Sequence, residues 1–287
     1  MKKLIFIILL LSIPVSSLAG ELSTDPQKLF DFATELYNSG DYYGAVLEYQ
    51  RLLSFYPNSS LTGEALFMSG MGYLKAGRED DAAGIFDSYV SQYHENSKAQ
   101  DALFCIAESY FTSNRYHTGI YKLHEYKKMY NSEAIKDSCD YLIGWGYLSQ
   151  HLFKQGESAF YHLGLRQSEY KVKAQGLTVD LEKGNHLSGK SPLVAGVLSA
   201  IIPGSGQMYA GRFYDGMVSF LLNASFLYLS AEGFRTGNNS TGLFFGVIEL
   251  GWYSSNIYGA VNAANKYNKE IKAEFVKGLK KKYEFPF

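Results

Sequence analysis

The residues able to do chemistry are few in this chain and do not converge. The six histidines, His94, His117, His124, His151, His162 and His186, are scattered along its middle. His117 and His124 stand seven apart on one helical stretch and share a face, which fits solvated surface better than a ligand pair. The two cysteines, Cys105 and Cys139, make neither a disulfide framework nor a zinc pattern. The turn Pro203-Gly204-Ser205-Gly206 is glycine-rich, but no Gly-Lys-Ser/Thr follows it, so it is not a phosphate loop. Neither Gly-x-Ser-x-Gly nor His-Glu-x-x-His occurs. A net charge of -1 offers no electrostatic footprint for nucleic acid. The expectation is a non-catalytic protein with no metal and no cofactor.

One acidic side chain calls for a reason. Glu249 lies deep in an otherwise uncharged run, where a carboxyl group is costly and faces a partner or a cavity. Arg212, Gln207, Asn223 and Asn256 are its candidate partners. It knits neighbouring helices together, lines an ion or substrate path, or sits at a shallow, hydrated position.

The elements that position these residues fall into four segments. Lys2 and Lys3, the apolar run from Leu4 to Val15 and Ser17-Leu18-Ala19 before Gly20 read as an export signal over 1–19. The alternative is an uncleaved N-terminal membrane anchor. A repeat domain is expected over 20–190, a membrane domain over 191–265, and a basic amphipathic tail over 266–287.

The repeat domain declares itself by register. Ala33, Gly70, Ala107 and Gly144 recur at a spacing of 37, as do Ala45, Ala82, Gly119 and Gly156, and then Tyr49, Phe86, Leu123 and Phe160. A fixed period of this length marks a repeat architecture. Each repeat holds two amphipathic helical stretches split at Gly40-Asp41 and its equivalents, and Tyr56-Pro57 closes the first repeat. Small residues let the two helices approach, and the large column fills the space beside them.

Gly70 with Tyr73, Ala82 with Phe86, and Tyr56-Pro57 together resemble the tetratricopeptide repeat signature over about residues 26–165. The wording around 40–60 is similar to an envelope subgroup, the outer-membrane assembly lipoproteins and the periplasmic partner of the Tol-Pal system. The chain departs from that pattern. The closing Pro becomes His94 and Asn131, the break Gly becomes Asn114 and His151, and the period exceeds the family's. The resemblance implies that the first helix of each repeat lines a concave groove. Two stripes would then face a protein or peptide partner: Phe30, Phe67, Phe104 and Tyr141, and Tyr37, Leu74, Phe111 and Leu148. The other reading is that these side chains pack on neighbouring helices. Residues 168–183 fit a closing cap helix.

From Pro192 the composition changes. Residues 192–211, 213–231 and 242–263 are three apolar stretches of about 20 residues, a length that crosses hydrocarbon as a helix. The first is interrupted at Pro203, so it is either a span or a re-entrant hairpin. Its wording, Pro203-Gly204-Ser205-Gly206-Gln207-Met208-Tyr209-Ala210-Gly211, is similar to a Pro-Gly-x-Gly-Gln-x-Tyr-x-Gly motif of small two-helix bacterial membrane domains. That resemblance implies closely packed membrane helices and no established activity. Gln207 and Arg212 are placed to satisfy carbonyls freed by the turn. Seven lysines from Lys266 to Lys282 favour a cytoplasmic tail, which requires three crossings if the repeats lie outside. The tail is also amphipathic, with Ile271, Phe275, Val276 and Leu279 on one side, as suits an anionic leaflet.

The expected architecture is all-α, a tetratricopeptide-like helical solenoid followed by a small transmembrane helical bundle. The expected function is that of a membrane-anchored periplasmic scaffold at the bacterial inner membrane, contacting a protein partner and the lipid bilayer but no nucleic acid. The alternative is a small transporter, channel or membrane-insertion factor regulated by its repeats.

Overall fold

The structure, a computed structural model, describes residues 25–285 and 287. The expected export signal over 1–19 lies outside the described residues. Thirteen helices and no strand occur among them: α1 (Pro26–Ser39), α2 (Tyr42–Phe55), α3 (Thr62–Lys75), α4 (Glu79–Tyr93), α5 (Lys98–Thr112), α6 (Tyr116–Met129), α7 (Glu133–Ser149), α8 (Phe153–Gly164), α9 (Lys171–Asn185), α10 (Pro192–Ile201), α11 (Ser205–Tyr209), α12 (Phe213–Arg235) and α13 (Asn239–Lys282). The fold class is the one expected, with α1 to α8 as helix-turn-helix repeats. The residues up to Ser109 form one compact unit and Tyr110–Phe287 a second.

The repeat period is a packing period. A methyl group on Gly70 would lie 2.8 Å from the ring of Phe86, and one on Gly144 would lie 2.5 Å from the ring of Phe160. The small column thus seats the large column of the same repeat. Successive repeats approach in the same way, with a methyl on Gly72 2.6 Å from Val46 and one on Gly146 2.9 Å from Ile120. The breaks share one backbone conformation. Gly40, Gly77, Asn114 and His151 all have positive φ, at 89°, 69°, 57° and 59°. The last two repeats therefore keep the left-handed turn after losing the glycine, at a conformational cost that Asn tolerates better than His.

Residue chemistry sets the helix ends. Asp25 precedes Pro26 and accepts from the Gln27 N–H at 2.9 Å; Asp41 accepts from the Gly44 N–H at 2.9 Å. Ser191 caps α10 in the same manner before Pro192.

The apolar half departs from three equal spans. Among the described residues, α12 is the one helix long and apolar enough to cross a membrane, by length and composition alone. At 1.5 Å per residue it is about 35 Å long. The first stretch divides at Ile202-Pro203-Gly204 into α10 and the five-residue α11, each too short to span. The third is the front of a 44-residue helix, α13, in which Gly, Ser and Asn dilute the apolar character. α12 and α13 pack along each other after the turn at Thr236-Gly237-Asn238. A Cβ on Gly233 would lie 2.5 Å from the Gly242 nitrogen, and Ser230 Oγ donates to the Gly242 carbonyl at 2.8 Å.

The basic tail requires a correction. It is the back of α13, and it packs against α7 and α9 of the repeats. Val276 and Leu279 are buried, and Phe275 fits over Gly184 and meets Phe153 at 5.6 Å between ring centroids. Lys282 pairs with Asp180, and Tyr283 Oη donates to the same carboxylate at 2.8 Å. The apolar side expected to lie on a leaflet is spent on protein. The tail and α7 and α9 are thus joined by direct protein contact.

Candidate functional site

The two stripes have different fates in the two compact units. In the first unit Phe30, Tyr37, Phe67, Leu74 and Phe104 are half-buried. Phe30 and Phe67 lean on the second helix of their own repeats: Phe30 meets Tyr49 at 5.4 Å, and Phe67 meets both Phe86 and Tyr89 at 5.4 Å. Lys98 lies over the ring of Phe67, 5.4 Å from its centroid, and pairs with Glu64. Tyr37 meets Tyr42 edge-on at 5.3 Å. Burial raises its phenol pKa, with Tyr42, Tyr49 and Cys105 adding to the effect. Cys105 Sγ reaches Met71 Sδ at 3.8 Å, which joins α3 to α5 on this face. The Cys105 thiol is free and is pushed up to about 12 by burial, with Glu108 and Asp101 adding to it. Tyr37, Met71, Leu74 and Cys105 therefore form a half-exposed apolar surface across three first helices.

In the second unit the stripe residues Phe111, Tyr141 and Leu148 are buried. The chain's own C-terminal segment covers part of them. Phe285 stacks on Trp145 at 4.3 Å and 17°, and meets Tyr141 edge-on at 6.3 Å; Phe287 reaches Phe111 at 6.2 Å. Tyr141 also stacks on Tyr170 at 4.5 Å. Trp145 and Phe285 were not legible as site residues. The one signal for Phe285 is an aromatic residue just beyond a Lys-rich amphipathic helix.

A charged cleft of about 550 Å³ opens on α6, α7 and α8, lined by His124, Lys127, Asp140, Tyr147, His162 and Arg166 among others. Lys127, Asp140 and Arg166 are matched with one another. Arg166 Nη1 donates to Asp137 Oδ1 at 2.6 Å, and both Arg166 and Lys127 pair with Asp140. Removing one member would strand a buried charge, which is the damaging event at such a network.

In the apolar helices the glycine-rich turn is held by a polar clasp. Gly204 has φ +88°, and a Cβ there would lie 1.9 Å from the Gly216 carbonyl oxygen. Its N–H donates to Asn256 Oδ1 at 3.0 Å. Gln207 Nε2 donates to Asn256 Oδ1 and to its carbonyl, each at 3.0 Å, and Gln207 Oε1 accepts from Ser199 Oγ at 2.8 Å. The Gly206 N–H donates to Ser199 Oγ at 3.0 Å, and a Cβ on Gly206 would lie 1.9 Å from the Ala195 carbonyl oxygen. Asn256 and Ser199 thus satisfy the groups freed by the broken backbone, Asn256 Nδ2 also donating to the Ser199 carbonyl at 3.2 Å, and Gln207, expected in that role, holds those two side chains in place instead. Arg212 instead pairs with Asp215 at the start of α12. Tyr209 Oη accepts from the Ser191 N–H at 3.1 Å, and Gly211 takes the left-handed turn into α12 at φ +85°. Ser199 escaped sequence reading, being one serine in an apolar run.

Glu249 joins none of this. Of its candidate partners, Gln207 and Asn256 serve the clasp, and Arg212 serves Asp215. Glu249 shares with Asn223 the wall of a cavity of about 440 Å³ between α10, α12 and α13.

Comparison with known proteins places the repeats. Residues 64–95 match the family model of the tetratricopeptide repeat. Over 72 residues the chain is 32% identical to outer membrane protein assembly factor BamD of Xylella fastidiosa (strain Temecula1 / ATCC 700964), covering 24% of this chain and 25% of that one. The protein of the same description from Xylella fastidiosa (strain 9a5c) is 31% identical over 72 residues, with the same coverage of 24% and 25%. The chain thus aligns with about a quarter of the length of the curated relatives it matches. A solved structure, a tetratricopeptide repeat protein from Parabacteroides merdae ATCC 43184, is similar over 88% of this chain and 98% of that chain, at 14% identity and a TM-score of 0.41. The repeat match implies a protein as the partner class.

Proposed function

We propose that this chain is a non-catalytic, membrane-anchored scaffold of the bacterial envelope that holds a protein partner on its repeats. The observation that carries this reading is the 44-residue α13. Its front packs on the apolar α12, and its back packs on α7 and α9 of the repeats. One unbroken helix therefore ties α7 and α9 of the second unit to the apolar hairpin, which supports an anchored role for the chain. The reading of residues 1–19 as an export signal supports a periplasmic location for the repeats, with the anchor in the inner membrane. The process is envelope assembly, as the similarity to outer membrane protein assembly factors supports.

The partner surface is the half-exposed apolar face of the first unit, with Tyr37, Leu74 and Phe104 from the original stripes joined by Met71. It is the part of the stripes that neither the tail nor the protein core has consumed. The test is a photocrosslinking residue placed at Tyr37 or Leu74 in cells. The expected result is one partner protein captured from both positions, and lost when Met71→Glu is added, with helicity unchanged. No capture from either position, while a residue at the exposed Phe32 captures freely, removes the groove from the proposal.

The alternative of a small transporter, channel or insertion factor has one observation in its favour, the cavity at Glu249. Its walls are apolar apart from Glu249, Asn223 and Tyr253, which suits a held molecule better than an aqueous path.

A further inference from the structure

The cavity beside Glu249 is lined by Ile201, Pro203, Phe220, Leu227, Asn223 and Glu249, with Ala224, Leu250 and Tyr253 completing it. Its volume of about 440 Å³ lies in the range of small-molecule sites. Asn223 is 2% exposed; its Nδ2 donates to the Ser219 carbonyl at 2.6 Å, and its Oδ1 has no hydrogen-bond partner. Glu249 Oε2 is likewise buried and unpartnered. The Tyr253 hydroxyl is committed to the Ala200 carbonyl. The unpartnered polar atoms on residues of the cavity wall are therefore acceptors, and a buried acceptor without a donor is a feature that calls for a reason. Ile201, Phe220, Leu227 and Leu250 are themselves exposed, so the cavity opens sideways among apolar side chains.

We propose that this cavity is a binding site for a primary amine carried on a small apolar body. An ammonium brings three donors and so serves both Glu249 Oε2 and Asn223 Oδ1, whereas a hydroxyl brings one. One acceptor is a carboxylate, and charge-assisted hydrogen bonds are the stronger kind. A carboxylate ligand would set acceptor against acceptor. The apolar body lies against Ile201, Pro203, Phe220 and Leu227. The same ammonium chemistry occurs in a free amine and in the headgroup of an aminolipid.

The test uses the full chain in maltoside detergent and equilibrium dialysis with labelled hexylamine, which is water-soluble. One hexylamine per chain is expected, saturably, displaced at least tenfold more weakly by hexanol and not by hexanoate. Glu249→Gln and Asn223→Leu should each weaken binding at least tenfold. Ala224→Phe fills the cavity without touching either acceptor and should abolish binding, which keeps the test decisive where Glu249→Gln fails to fold. Non-saturable uptake, equal displacement by hexanol, or unchanged binding in Ala224→Phe would each overturn the site. Nanodiscs then separate the two sources. Hexylamine bound in phosphatidylcholine discs but blocked in phosphatidylethanolamine discs assigns the site to the lipid headgroup, and binding in both assigns it to a free amine.

Discussion

At the scale of single residues, the glycines separate conformational from steric demand. Gly77 has φ +69°, and a side-chain carbon added there would have nothing within 4 Å; Gly84, in the interior of α4, also has open space. Gly77→Ala should therefore cost about 1–2 kcal/mol from the left-handed backbone alone. Gly84→Ala should gain about 0.5–1 kcal/mol by removing backbone freedom from the unfolded chain. The midpoints of denaturant unfolding must move in opposite directions. Gly144→Ala is steric instead, because Phe160 stands 2.5 Å from the added carbon, and a loss of about 1–3 kcal/mol is expected. Phe67 is a packing residue on the same logic. Phe67→Ala should cost on the order of 3 kcal/mol, whereas Tyr37→Ala should change partner capture far more than melting.

At the scale of elements, the docking of α13 on α7 and α9 is expected to respond to pH in a definite direction. Burial lowers the pKa of His151, and Lys272 and Lys269 lower it further. A group whose folded pKa is depressed contributes stability that is complete above its unfolded value and is lost as pH falls toward the folded one. For His151 that loss begins below about 6.5. Asp180 is also held below the carboxylate range: burial raises it, but hydrogen bonds from Lys282 and Tyr283 and the nearby lysine charges more than offset this. Its contribution is complete above about 3.9 and lost only in stronger acid. Undocking between pH 7 and 5 is thus expected to run through His151. Fluorescence of Trp145, which Phe285 stacks against, reports it in a Trp252→Phe background. His151→Asn, which tolerates positive φ, should flatten the profile. Asp180→Asn should weaken docking at pH 7 only slightly, since Lys282 is largely solvated. An unchanged profile in His151→Asn would assign the transition elsewhere.

At the scale of the whole molecule, the tail and the repeats must answer alike to a membrane-impermeant reagent. Cys105 and Cys139 are both free and would first be replaced. With an even number of crossings, single cysteines at Ser97 and Lys281 should both label from the periplasm, and one at Ser240, at the α12–α13 turn, should be protected. Labelling at Ser240 with protection at Lys281 would restore three crossings and contradict the packing of α13 on the repeats. Protection at Ser97 would place the repeats in the cytoplasm and remove the envelope function.

The local sequence determined the repeat helices, because their information is periodic. Every 37 residues a small side chain, a large one and a break recur, and α1 to α8 fall between breaks near 40, 77, 114 and 151. The seating of Phe86 over Gly70 was legible for the same reason. The turn at His151 was legible only through the register that aligns it with Gly40, since nothing local distinguishes a His forced into αL from one in a helix. The stripes were legible as apolar positions but not as exposed or covered ones. Tyr141 and Phe285 are separated by 144 residues of chain, and only the return of α13 brings them together. The packing of the tail on α7 and α9 was hidden on the same account. Charge counting treats the lysines as a free loop, whereas the apolar face of their helix finds a protein surface before it finds a lipid one. Chain separation also hid the clasp: Gln207 and Asn256 are 49 positions apart, and their hydrogen bonds exist only because α11 folds back onto α13.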